Sequence, residues 1–152
     1  MNQADFIAAE LQKLGLGPEN SVVIGSGIMG ALGLRESADI DLVVSEDALK
    51  RLKSTGLFSE KMAYGRPILC NELCEIDRYW HVLGKDYYYA DLFADSIVMK
   101  DVRFISAAFL YRVKQDWIKR GTERPKDIRD VEILKDYLKT QTHGTDKEQC
   151  IV

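Results

Sequence analysis

Two aspartates at alternate positions, Asp39 and Asp41 in Asp39-Ile40-Asp41-Leu42-Val43-Val44, follow the small-residue turn Ile24-Gly25-Ser26-Gly27. Side chains at alternate strand positions share one face, so both carboxylates can converge on the same cations. Hard oxygen donors of this kind suit Mg²⁺, which is usually held by few carboxylates together with substrate phosphates. The turn offers the complementary half of such a site. Ser26 has a hydroxyl to donate to a phosphate oxygen, and glycine at 25 and 27 lets the backbone come close. The N–H groups of Gly27 and of the helix start that follows add to the anion site. The combination is what holding a nucleoside triphosphate over a pair of metal ions requires. The plainer reading makes Asp39 and Asp41 the solvated face of an exposed strand, with Ile40, Leu42 and Val44 turned inward. Against it, aspartate is poorly suited to strands, and two on one face repel unless a cation or donors compensate.

Gly25-Ser26-Gly27-Ile28-Met29-Gly30 is also a literal G-x-G-x-x-G after a predicted strand, the fingerprint of dinucleotide-binding oxidoreductases. That unit needs a full helix after the glycines, a second parallel strand, and an acid near the end of that strand for the ribose. Here Arg35-Glu36-Ser37 interrupts the helix early, and the acids stand at the start of the next strand. An NAD-binding Rossmann protein is therefore the less favoured reading.

The elements that must position these residues follow from hydrophobic spacing. A helix is predicted over Gln3–Leu14, capped by Asn2 and ended by Gly15 and Gly17-Pro18. Ser21–Ile24 reads as a buried strand, Ile28–Leu34 as a short helix, Asp39–Val44 as a strand and Glu46–Ser54 as a helix capped by Ser45. Ala63–Ile68 and Leu73–Val82 read as an antiparallel pair joined around Asn71-Glu72. A connecting segment, Leu83–Asp95, carries Tyr87-Tyr88-Tyr89, and Ile97–Phe104 adds a strand. Ser106 opens a helix through Lys119, Gly121–Pro125 breaks it, and Lys126–Leu138 forms the last helix. Strands mixed with helices without strict alternation point to an α+β (mixed α/β) fold, a small mixed sheet with helices packed on it.

The hydrophobic-Gly-Ser turn with D-x-D on the next strand resembles the nucleotidyltransferase superfamily. The tail Arg124-Pro-Lys126-Asp127-Ile-Arg-Asp130, with Leu134 and the preceding Lys114, is similar to the R-x-K-D-x-x-D-x-x-x-L pattern of its antibiotic-modifying and abortive-infection toxin members. The resemblance spans most of residues 21–138, with the middle region matching only loosely. It implies a nucleotidyltransferase fold, a small mixed sheet flanked by helices with a C-terminal helical pair. It also implies transfer of a nucleoside monophosphate from an NTP to a hydroxyl with two Mg²⁺ ions. A third carboxylate is expected on a later strand. Glu75 and Asp77 share a face, and Glu75 fits the hydrophobic-acid-hydrophobic pattern better. By the same resemblance Lys114 reaches the triphosphate, against the plain alternative of a solvated lysine. Asp127 and Asp130 are then structural, one at a helix terminus and the other paired with a base such as Arg124 or Arg129. Tyr79, Trp80 and Tyr87–Tyr89 either line an acceptor pocket or cover the core.

The whole chain bounds these readings. Its 152 residues, 46% hydrophobic and 30% charged, suit one domain over residues 1–139 with a polar, disordered tail at 140–152. A net charge of -3 argues against a broad surface for duplex nucleic acid, so a small-molecule acceptor is favoured over RNA, with a protein side chain also open. No apolar stretch is long enough for a bilayer span, and no secretory signal is read at the N-terminus. Cys70, Cys74 and Cys150 fit packed thiols in a reducing compartment, and a cytoplasmic location is expected. The competing function is a non-catalytic, antitoxin-like binding module of the same fold.

Overall fold

Asn2 accepts the Asp5 N–H at 2.9 Å and starts α1 (Gln3–Lys13) in a computed structural model that describes residues 2–151, with side chains for 2–141. Gly15 in the left-handed region (φ 68°) then ends α1, with the Leu16 N–H returning to Leu11 O at 3.0 Å. The chain continues through β1 (Ser21–Ile24), α2 (Gly27–Ala31), β2 (Ile40–Val44) and α3 (Glu46–Ser54), the last capped by Ser45 as expected. The helix α2 is shorter than its apolar run suggests. Gly33 at φ 72° closes it, with the Leu34 N–H bonded to Met29 O at 2.9 Å.

The middle of the chain is built from tight hairpins. β3 (Ser59–Ala63) pairs with β4 (Arg66–Cys70), which pairs with β5 (Cys74–Asp77); β6 (Tyr79–Val82) pairs with β7 (Lys85–Tyr88) as a separate ribbon. A four-residue α4 (Tyr89–Leu92) and a 3₁₀ turn (Phe93–Asp95) lead to the hairpin β8 (Ser96–Met99) and β9 (Val102–Ile105). Three of these hairpins turn on two residues of positive φ: Tyr64-Gly65, Leu83-Gly84 and Lys100-Asp101. That geometry matches the twist of the flanking strands. Two expectations are corrected here. The predicted strand Leu73–Val82 is two strands belonging to different sheets, and Ile97–Phe104 is a hairpin rather than one strand.

The main sheet has seven strands in the order β3-β4-β5-β2-β1-β9-β8, and it is mixed. β1 runs antiparallel to β2 and parallel to β9, while β2 runs parallel to β5. The fold is therefore α+β with a mixed sheet, as the sequence suggested. Val22, Val23, Leu42, Val43, Ile76, Phe104 and Ile105 on the central strands are buried, as are Ile28 and Met29 of α2. α2 packs directly on β1: a Cβ on Gly27 would lie 2.4 Å from Val23 Cγ1, so only glycine fits there.

The chain forms two compact units, Met1–Ser106 and Ala107–Val152. The second holds α5 (Ala107–Arg120) and α6 (Pro125–Ile151). Pro125 takes the first position of α6, where its missing N–H costs nothing, and Asp127 reaches back to accept the Arg124 N–H at 2.9 Å. The tail expected to be disordered from residue 140 falls almost wholly beyond the described side chains.

Candidate functional site

The β1–β2 ladder ends with Ile24 opposite Asp41. Gly25, Ser26 and Asp39 therefore all lie beyond the same end of two central strands. Gly25 takes φ 66°, and a Cβ there would meet Asp41 Oδ2 at 3.2 Å, so the Asp41 carboxylate lies directly against the turn. On its other side Asp41 stands opposite Glu75 of the parallel strand β5. Residues directly opposite in a ladder share a face, so Asp41 and Glu75 are side-by-side carboxylates. Asp39 precedes β2 by one residue and is exposed, while Asp41 and Glu75 are half-buried.

The two candidates for the third carboxylate differ in their company. Asp77 stands one row farther in, two residues from Glu75, and is gripped by Arg66. Nε donates to Oδ1 at 3.2 Å and to Oδ2 at 3.0 Å, and a terminal nitrogen donates to Oδ2 at 2.6 Å. The Arg78 N–H adds a further bond to Asp77 at 2.7 Å. The same guanidinium stacks on the Tyr79 ring at 4.0 Å and donates to Tyr79 O at 3.2 Å. Burial works most strongly against the charge on Arg66, but the Asp77 hydrogen bond and the Asp77 charge, with smaller contributions from Tyr79 and Asp86, together outweigh it and raise the guanidinium pKa above its ordinary value. Asp77 thus ties β5 to β4 and to the start of β6. Glu75 meets only an exposed cation in comparison: Lys61 Nζ lies 3.1 Å from Oε2, with the two side chains 47% and 36% exposed. Exposed pairs of this kind contribute little and separate readily.

The donor set fits a hard divalent cation, because Asp39, Asp41 and Glu75 offer oxygen only. Among the described residues no group of three or more His, Cys, Asp or Glu stands close enough together to hold a metal by itself. The protein's share would then be few carboxylates, with phosphates completing the shell.

Two features beside the Gly25 turn carry no mark in the sequence. Ser26 Oγ accepts a hydrogen bond from the Arg35 guanidinium at 2.8 Å, which brings a positive charge to the turn. Arg35 follows the short helix in what the sequence presents as a plain polar connection, and nothing in its spacing marks it. The helix contributes less than expected, since α2 has five residues and its peptide dipoles sum to little. The hydroxyl and the positive charge at the turn come from Ser26 and Arg35.

Lys114 sits in the second unit, 1% exposed, with Nζ 2.6 Å from Asp127 Oδ1 and 2.9 Å from Asp130 Oδ2. Its ammonium is committed to two equally buried carboxylates and is not a solvated lysine. Asp127 bonds a helix terminus, and Asp130 pairs with a basic side chain, here Lys114. Tyr79, Trp80, Tyr87 and Tyr88 lie in the β6–β7 ribbon, where Tyr79 faces Tyr88 with ring centroids 5.2 Å apart; Tyr89 opens α4, and its Oη donates to Pro18 O at 2.5 Å.

The G-x-G-x-x-G reading fails on topology. The strands either side of the glycines run antiparallel, so no parallel strand-helix-strand unit exists at that motif. Comparison of the chain with protein-family models, with curated proteins and with solved structures gives no match. Among the described residues no helix is long and apolar enough to cross a membrane.

Proposed function

We propose that this protein is a nucleotidyltransferase, moving a nucleoside monophosphate from an NTP to a hydroxyl of a small acceptor. The observation that carries the reading is the placement of Asp41, against the Gly25 turn on one side and beside Glu75 on the other. An anion-binding turn and paired carboxylates within one ladder row are the two halves that such a reaction needs. Asp39, exposed and one residue before β2, adds a further carboxylate at the same strand end.

In this reading Ser26 Oγ and the Arg35 guanidinium bind the β and γ phosphates and orient pyrophosphate as the leaving group. The acceptor oxygen forms a bond to the α-phosphorus as the bond from that phosphorus to the bridging oxygen breaks. Glu75, released from the exposed Lys61, takes the acceptor's proton. Asp39 and Asp41 are the residues that would hold Mg²⁺, two ions by the superfamily resemblance. When bound, such ions stabilise the attacking and leaving oxygens.

The test is transfer of label from α-³²P NTPs to a panel of hydroxyl-bearing small molecules, with pyrophosphate release measured in parallel. Wild type is expected to release pyrophosphate and Glu75→Gln to lose at least about a hundredfold in rate, the low end of general-base contributions. Equal rates in the two proteins contradict the role of Glu75. One observation favours the second reading, a nucleotide-binding module without catalysis: Glu75 already has a cation, Lys61, at 3.1 Å. NTP binding with no pyrophosphate release from any acceptor supports that module instead.

A further inference from the structure

The first residue of α1 is joined to the loop between α2 and β2, far from it in sequence. The Gln3 side-chain amide bonds both backbone groups of Ser37: Oε1 accepts the Ser37 N–H at 3.0 Å, and Nε2 donates to Ser37 O. The amide thus occupies the place that a neighbouring strand would take. It is seated against α2, where a Cβ on Gly30 would fall 1.9 Å from Gln3 Oε1. Gly30 is therefore the space that admits the clamp.

Ser37 stands midway between Arg35 and Asp39, two residues from each. Its neighbours on the two sides are the guanidinium that meets Ser26 Oγ and the exposed acid at the strand end. A loop of this kind, opened by Gly33 and largely outside the ladders, samples many conformations unless something ties it down. Gln3 supplies that tie with a neutral group, so it fixes the backbone without altering the charge of the site.

We propose that Gln3 is a positioning residue for this site, clamping Ser37 so that Arg35, two residues before it, meets the terminal phosphates. The proposal rests on the nucleotidyltransferase reading for the identity of the ligand, and on the Gln3, Gly30 and Ser37 geometry for the clamp. It makes two independent demands. The loop must loosen when the amide is lost, and affinity must fall for ligands that carry β and γ phosphates but not for those that lack them.

The experiment measures amide exchange at Ser37 together with ATP and AMP affinity in the presence of Mg²⁺, on the full chain. Gln3→Met keeps the length and removes both bonds. Exchange at Ser37 is expected to quicken roughly tenfold or more, as loss of two hydrogen bonds implies. ATP affinity is expected to fall roughly tenfold, while AMP affinity shifts by less than about twofold. Gly30→Ala, which evicts the amide from the other side, should give the same pattern. The double variant Gln3→Met/Gly30→Ala should be no worse than either single change, because both remove one interaction. Gln3→Glu, which still accepts the Ser37 N–H but cannot donate to Ser37 O, should fall between wild type and Gln3→Met. Thermal melts of each variant separate loosening of the loop from loss of fold. Unchanged Ser37 exchange in Gln3→Met overturns the clamp. Faster exchange with unchanged ATP affinity, in a protein whose ATP binding still depends on Asp41, overturns the positioning role and leaves the nucleotidyltransferase reading standing. Absence of ATP binding by wild type overturns that reading and the positioning role with it.

Discussion

Replacing Lys114 by methionine should unfold the second unit's polar core at a cost that can be stated in advance. The ammonium is 1% exposed and stands 2.6 Å from Asp127 and 2.9 Å from Asp130, each also 1% exposed. Removing it leaves two buried carboxylates facing one another, and breaking a buried pair from one side costs about 3–5 kcal/mol. For a chain of this size that corresponds to a fall of about 6–20 °C in Tm. The pairing should also show in acid. Burial works to raise the Asp127 pKa, but the bonds from Lys114 and from the Arg124 N–H outweigh it and lower it below the ordinary 3.8. A carboxyl whose folded pKa is lowered contributes its stability above the unfolded value and loses it as pH falls through the folded one. The wild-type advantage over Asp127→Asn should therefore be complete near neutral pH and shrink below about pH 4. Urea melts followed by circular dichroism at several pH values measure both effects. The triple replacement Lys114→Met/Asp127→Leu/Asp130→Leu should recover most of the loss, since a well-packed apolar substitute for a buried ion cluster is often neutral or better. Lys114→Met within about 1 kcal/mol of wild type, or a triple variant no better than the single, would refute a buried, mutually compensated cluster.

Other outcomes follow from single contacts. Asp77→Ala strips Arg66 of the three bonds it makes to that carboxylate and should cost about 2–3 kcal/mol in a urea melt, whereas Glu75→Gln, losing only an exposed partner, should stay within about 1 kcal/mol. Gly27→Ala drives a Cβ to 2.4 Å from Val23 Cγ1 and should lower stability by about 1–3 kcal/mol through overpacking. Changing Lys100-Asp101 to Asn-Gly, at φ 53° and 63°, should raise stability by about 1 kcal/mol, read as a higher urea midpoint with unchanged slope.

What the sequence made legible, and what it hid, has a common physical cause. The Gly25 turn, β1, β2 and α3 were readable because each is specified locally, by a glycine that must take positive φ, by a short buried run, or by a capping serine. Lys100-Asp101 turns a hairpin with neither Asn nor Gly, so two short strands read as one. Arg78 separates β5 from β6 by a change of sheet, which no periodicity encodes. Glu75 and Asp77 are indistinguishable by alternation, and only the register with Asp41 and the reach of Arg66 from another strand tell them apart. Lys114 shows the same limit more sharply: a helix lysine looks solvated until its burial with two aspartates is known. Gln3 and Arg35 carry no local mark at all, because what they do depends on residues brought together by the fold.

In the proposed function the Gly25–Ser26 turn and Asp41 form one site for a nucleoside triphosphate held through Mg²⁺. Isothermal titration of wild type and of Asp39→Ala/Asp41→Ala with each NTP, with and without Mg²⁺, tests it most directly. Mg²⁺-dependent NTP binding is expected from wild type, and its loss from the double variant with the far-ultraviolet circular dichroism unchanged. Failure of wild type to bind any NTP, or binding left unchanged by removal of both aspartates, would contradict it.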